Sequence, residues 1–180
     1  WAWHASRFID QRFLKHAIAW GDTDIFPPVF EFEAISDDWK NVKASIQGED
    51  ILKWKVRPYR RCLVPKHRFG FRISTQLDPL DFLVFTALIR EAGEKLEACR
   101  IPIADNIVHS YRFAPDADGR MYSDKYTYRS FQKASHDACD ALNPSHVVIA
   151  DIADFFPRLY THRIDNALDG ALIESVNCCK

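Results

Sequence analysis

Val147-Val148-Ile149-Ala150-Asp151-Ile152-Ala153-Asp154-Phe155-Phe156 opens with four apolar residues, three of them β-branched, and then meets a carboxylate. Such a run predicts a short strand buried on both faces, followed by polar and aromatic residues. An acid at the end of a buried strand is costly, because desolvation disfavours its charged form unless something compensates. Two readings of Asp151 follow. Either it meets a cation or a strong hydrogen-bond donor, or it caps the helix that comes next.

The 180-residue chain is 47% hydrophobic and 13% aromatic, enough for one domain with a sizeable core. Its net charge of −1 says little about partners, so the distribution of charge matters more. No apolar run approaches a membrane span and no signal peptide is visible, although the chain opens at Trp1 without a Met. Cys62, Cys99, Cys139, Cys178 and Cys179 are odd in number and lack C-x-x-C spacing. That pattern argues against a zinc site and a secreted disulfide framework, and predicts reduced thiols in a cytoplasmic protein. There is no internal repeat and no linker that marks a second domain.

From the N-terminus, Ser6 to Ala19 has a helical period through Phe8, Ile9, Phe13, Leu14, Ala17 and Ile18, with Ser6 as a cap. Phe26-Pro27-Pro28 predicts an extended segment, after which Phe30, Phe32 and Ala34 alternate with Glu31 and Glu33. A short helix follows through Trp39, Val42 and Ile46. From Asp78-Pro79 a long helix runs to about Ala98, with Phe82, Phe85, Leu88, Ile89, Ala92 and Leu96 on its apolar face and Gly93 as a weak point. Residues 107–113 read as extended, and 115–119 as a turn. A helix at about 123–142, with Phe131, Ala134, Ala138 and Leu142 on one side, is expected to cover the strand at Val147. Pro157 and Thr161 mark further helix starts.

Residues 51–77 stand apart. Lys53, Lys55, Arg57, Arg60, Arg61, Lys66, Arg68 and Arg72 give eight positive charges that no Asp or Glu interrupts. Arg61-Cys62-Leu63-Val64-Pro65 and Phe71-Arg72-Ile73 predict two strands joined by a turn at 66–70, a hairpin with basic residues at its tip. A solvated basic edge that blocks strand-to-strand aggregation is one reading. The other is a clamp in which Lys66 and Arg72 hold phosphates of a nucleotide or a nucleic-acid backbone.

Several of these segments, in order, resemble bacterial reverse transcriptases, most nearly the group II intron-like and defence-associated (abortive infection) branch. The segments are Val64-Pro65-Lys66, Gly70 and Arg72, Asp78 and Asp81 opening a long helix, and Ser110-Tyr111-Arg112-Phe113. Ala150-Asp151-Ile152-Ala153-Asp154-Phe155-Phe156 and His162-Arg163-Ile164 with Ala167-Leu168 complete the set. The resemblance covers roughly residues 57–168. It implies an α+β fold made of the fingers and the beginning of the palm of a right-hand polymerase, mostly helical, with a basic β-hairpin and a short palm strand. Residues 1–50 would be an N-terminal extension, 51–145 fingers with the start of the palm, and 146–180 a palm segment.

The implied activity is RNA-directed DNA polymerisation, with an RNA template, a DNA primer and deoxynucleoside triphosphates as partners and Mg2+ as cofactor. By the same resemblance Asp151 is a catalytic carboxylate that binds metal, joined by the backbone carbonyl of Ile152. Lys66 and Arg72, with Asp154 and Phe155, would hold the incoming triphosphate, and Phe156 would lie under its sugar. Hard oxygen ligands suit such two-metal phosphoryl transfer. The family also needs a later strand-turn-strand with paired aspartates, and the one Asp-Asp pair, Asp37-Asp38, lies far upstream. The chain is therefore expected to be an N-terminal fragment that is inactive alone. The alternative is a non-catalytic nucleic-acid-binding module that uses the basic hairpin, with Asp151 structural.

Overall fold

Asp10 precedes the first helix in an extended conformation, and its carboxylate accepts the Arg12 backbone N–H at 2.7 Å. That bond satisfies one of the donors every helix start leaves free. The computed structural model describes residues 9–21, 26, 29–65, 70–153, 155, 158–166 and 170. Along them run α1 (Gln11–Trp20), α2 (Glu31–Asp37), α3 (Trp39–Gly48), a 3-10 turn (Ile51–Lys53), β1 (Arg60–Pro65) and β2 (Phe71–Gln76). After these come α4 (Pro79–Ala98), a second 3-10 turn (Ile103–Asp105) and α5 (Tyr128–Leu142). Helices thus accompany one two-stranded antiparallel sheet, which is the α+β character expected from the sequence. No helix among the described residues is long and apolar enough to cross a membrane.

The chain forms two compact units, and the first comprises the described residues up to Glu91 together with Pro115–Met121. Its core joins Ile9 and Leu14 to Ile35, Ile46, Leu83 and Ala87. Fully burying each large aliphatic side chain is worth about 1.5–3 kcal/mol, so this cluster accounts for the docking of α1 to α3 on α4. The apolar face of α4 is centred on Leu83, Val84 and Ala87, and Phe85, expected on it, is exposed. Residues 80–89 are apolar nearly all round, so their period does not fix a face. In the 115–121 segment Asp116 accepts the N–H groups of Asp118 and Arg120 at 3.0 and 2.9 Å. Gly119 completes that turn at φ 98°, a backbone conformation that favours glycine.

The second unit comprises Ala92–Ala114 and the described residues from Tyr122 onward. Phe113 and Tyr122 form an isolated antiparallel bridge, and the Ser123 N–H donates to the Arg112 carbonyl at 2.9 Å. α5 starts on a capping box in which the Thr127 hydroxyl accepts the Ser130 N–H and the Ser130 hydroxyl accepts the Thr127 N–H. It ends on Asn143, in the left-handed region at φ 41°.

Four expectations change. Residues 31–37 are helical rather than extended, because Phe32 and Ile35, three apart, both turn to the core on a helix. The α1 cap is Asp10, and Ser6 lies outside the described residues. α5 begins at Tyr128 and has no buried residue, so it does not cover the Val147 segment. Finally, residues 147–150 belong to no strand, with Val148 and Ile149 90% and 92% exposed. Backbone N–H and C=O groups make a strand only against a partner strand, and among the described residues none pairs with this segment.

Candidate nucleic-acid interface

The two predicted strands pair, residues 66–69 of the expected turn lie outside the described residues, and the register places each side chain of β1 and β2. Arg60 pairs with Gln76, Cys62 with Ser74 and Val64 with Arg72, while Arg61 pairs with Thr75, Leu63 with Ile73 and Pro65 with Phe71. Side chains alternate between the faces of a strand. Arg60, Cys62, Val64, Arg72, Ser74 and Gln76 therefore share one face, and Arg61, Leu63, Pro65, Phe71, Ile73 and Thr75 the other. Every residue of the second face is exposed, including Leu63, Phe71 and Ile73. On the first face Val64, Ser74 and Gln76 are half-buried, and Arg60 and Arg72 reach solvent.

The eight cations of this region are not equivalent. Arg60 donates to Glu31 at 2.7 Å, and Lys53 lies 3.8 Å from Asp50. Arg57 is tied more firmly. Its backbone N–H and guanidinium donate to Asp81 at 2.7 and 3.3 Å, and its ring partner is Trp54, 5.0 Å below the guanidinium. The Trp54 indole N–H donates to the same Asp81 carboxylate at 2.7 Å, and Asp81 is only 5% exposed. This knot fixes residues 54–57 on the first turn of α4, immediately before β1. Lys55, Arg61 and Arg72 have no ion pair among the described residues. They are the cations of the described hairpin region left for a polyanion.

A second polar cluster lies in the other unit, around Glu97 near the end of α4. Its carboxylate accepts the Arg112 guanidinium at 2.9 Å, the Phe113 N–H at 3.0 Å and the Arg100 guanidinium at 3.0 Å. Burial alone would raise the Glu97 pKa, but these donors outweigh it and hold the carboxyl below its ordinary value. Arg112 also donates to the Ile101 carbonyl at 2.8 Å, and Arg100 to the Tyr111 carbonyl at 2.5 Å and the Ser110 hydroxyl at 2.6 Å. The Ser110-Tyr111-Arg112-Phe113 motif is thereby strapped to α4, with Arg112 a buried structural cation.

Compared with known proteins, the chain matches no family model, no curated protein and no solved structure. Its own geometry is what bears on function. Arg72 stands exposed on β2, whereas Lys66, Asp154 and Phe156 lie outside the described residues. Asp151, Ile152 and Phe155 are exposed, and they belong to no helix or strand. Among the described residues no group of three or more His, Cys, Asp or Glu side chains gathers as a metal site. Asp151 with the Ile152 carbonyl does not by itself fit the two-magnesium centre that the resemblance implies. Among the described residues Cys62, Cys99 and Cys139 form no disulfide.

Sequence reasoning placed the basic hairpin and missed both polar clusters. Asp81 pairs across 24 and 27 residues, and Glu97 across 15 and 16. No local pattern marks partners so far apart.

Proposed function

We propose that the chain binds nucleic acid through the β1–β2 hairpin. The observation that carries this reading is that Lys55, Arg61 and Arg72 have no ion pair among the described residues, within a stretch, 51–77, that contains eight cations and no carboxylate. Cations already held by carboxylates release little counterion on binding, so these three, with Lys66 and Arg68, supply the attraction to phosphate. On the opposite face the exposed Phe71 ring, flanked by Leu63 and Ile73, adds a surface on which an unpaired base can stack.

The wider reading makes this hairpin the fingers of an RNA-directed DNA polymerase, with Arg72 and Lys66 on the incoming deoxynucleoside triphosphate and Asp151 as a magnesium ligand. Its support is the order of the sequence motifs between residues 57 and 168. A role in phage defence belongs to the same resemblance. The second reading, a non-catalytic binding module, is favoured by the exposure of Asp151, which belongs to no helix or strand.

Fluorescence anisotropy with single-stranded RNA over a range of salt tests binding. Loss of affinity in a Lys66→Ala, Arg68→Ala, Arg72→Ala variant supports the hairpin, and parental affinity at low salt in that variant overturns it. Sequencing the reading frame that follows Lys180 separates the two wider readings. A strand-turn-strand with paired aspartates supports the polymerase, and its absence supports the module.

A further inference from the structure

An open cleft of about 450 Å³ lies in the second unit, lined by residues 107–111 on one side and Thr127, Tyr128 and Phe131 on the other. Its size falls within the range of small-ligand sites. Four of its eight lining residues are aromatic rings: His109, Tyr111, Tyr128 and Phe131. The Phe131 ring lies 6.2 Å from His109 and 6.1 Å from Tyr128, tilted at 50° and 37°. These rings do not stack on one another, and Tyr111, Tyr128 and Phe131 are exposed.

Both walls are held from outside the cleft. Arg100 and Arg112 strap the 108–113 segment to α4, and the Thr127–Ser130 capping box fixes the first turn of α5. The cleft therefore exists before any ligand arrives, which lowers the ordering cost of binding. Ser110 and Thr127 spend their hydroxyls on Arg100 and Ser130. The His109 imidazole and the Tyr111 and Tyr128 hydroxyls have no hydrogen-bond partner among the described residues.

No lining residue is a Lys, Arg, Asp or Glu. A phosphate or carboxylate would find no fixed cation there. The cleft is open to solvent, with Tyr111 and Tyr128 exposed, so a hydrocarbon chain laid in it would stay partly in water. A flat heteroaromatic ring suits it better, since its faces stack on the rings while its polar edge stays in water. We propose that this cleft holds one unpaired nucleobase of a bound single strand. The proposal deepens the nucleic-acid reading of the hairpin and rests on it.

The test uses the whole 180-residue chain and two fluorescent probes, 2-aminopurine riboside and an RNA octamer with one internal 2-aminopurine, whose emission falls on stacking. The parent should quench both. Tyr128→Leu and Phe131→Leu, at exposed positions where an apolar side chain is kept, should each weaken octamer binding about tenfold and abolish the quenching. Unchanged circular dichroism spectra would establish that these variants fold. An Arg61→Ala, Arg72→Ala variant should bind the octamer more weakly and still quench the riboside. That last result separates the two ideas, because failure of the hairpin reading would leave octamer affinity unchanged in the charge variant. A riboside that the parent does not quench, or quenching that persists in both ring variants, overturns the cleft.

Discussion

Arg60 and Arg72 project from the same face of the β1–β2 hairpin, yet Arg60 is bound to Glu31 at 2.7 Å while Arg72 has no ion pair among the described residues. The two arginines, at opposite ends of the ladder, thus differ in what they can offer a phosphate. With Lys53, Arg57 and Arg60 engaged, Lys55, Arg61 and Arg72 stay available among the described residues, and counting Lys66 and Arg68 from the sequence brings the number to five. For single-stranded nucleic acid the slope of log affinity against log salt should then be about −3.5, against about −5.6 if all eight charges acted. Arg61→Ala with Arg72→Ala should flatten it by about 1.4, and Arg57→Ala, although less stable than the parent, should leave it unchanged. Anisotropy titrations between low and moderate salt measure these slopes.

Asp81 holds the segment that delivers β1. It is buried and accepts from the Trp54 indole, the Arg57 N–H and the Arg57 guanidinium. Asp81→Ala strands two donors and a cation at once and should cost roughly 3–5 kcal/mol in urea unfolding. Asp50→Ala, which removes a 3.8 Å contact to an exposed Lys53, should cost at most about 1 kcal/mol. Equal losses in the two variants would show that the Asp81 knot does not hold the hairpin.

Gly93 sits inside α4, where helix propensity alone favours alanine by about 1 kcal/mol. A Cβ at this position would run into the ring of Phe113. Overpacking of that kind costs about 1–3 kcal/mol, so Gly93→Ala should destabilise in spite of the propensity gain. Gly93→Ala combined with Phe113→Leu should recover part of the loss, because the smaller side chain yields space. A stabilised single variant in thermal unfolding would refute the close approach of ring and helix.

The same contrast explains what could be read from residues alone. The hairpin was legible because its signal is local: short apolar strands, then a turn rich in basic residues with Gly70. α1 and α4 were legible as helices for the same reason. The buried face of α4 was not, since Leu80, Phe82, Leu83, Val84 and Phe85 offer the core more apolar side chains than it takes. α2 was missed because the alternation of Phe30, Phe32 and Ala34 fits a strand locally, and the core contacts of Phe32 and Ile35 decide for helix. The strand at Val147 was read from composition, but a strand is a relation between two segments. Lys66, Asp154 and Phe156 lie outside the described residues, so of the expected nucleotide-binding set the structure places Arg72 and Phe155.

Glu97 carries the last prediction, because its three donors make acid stability specific to one carboxylate. Its pKa lies below the ordinary 4.5 in the folded chain, since the Phe113 N–H, Arg112 and Arg100 together outweigh the opposing effect of burial. A carboxyl depressed on folding stabilises the native state above its unfolded pKa, and that contribution fades as pH falls through the folded value. Glu97→Gln keeps the shape and removes the charge, leaving the buried Arg112 guanidinium without its counter-ion. At pH 7 the variant should be less stable than the parent by roughly 2–3 kcal/mol. The gap between them should hold down to about pH 5 and narrow steadily below about 4.5, as protonation strips the parent of the same charge. Urea unfolding of both proteins at pH 7, 5, 4 and 3 gives the comparison. A gap that stays constant to pH 3 would mean that Glu97 acts through shape alone, and the ion pair with Arg112 would then have no part in holding residues 108–113 on α4.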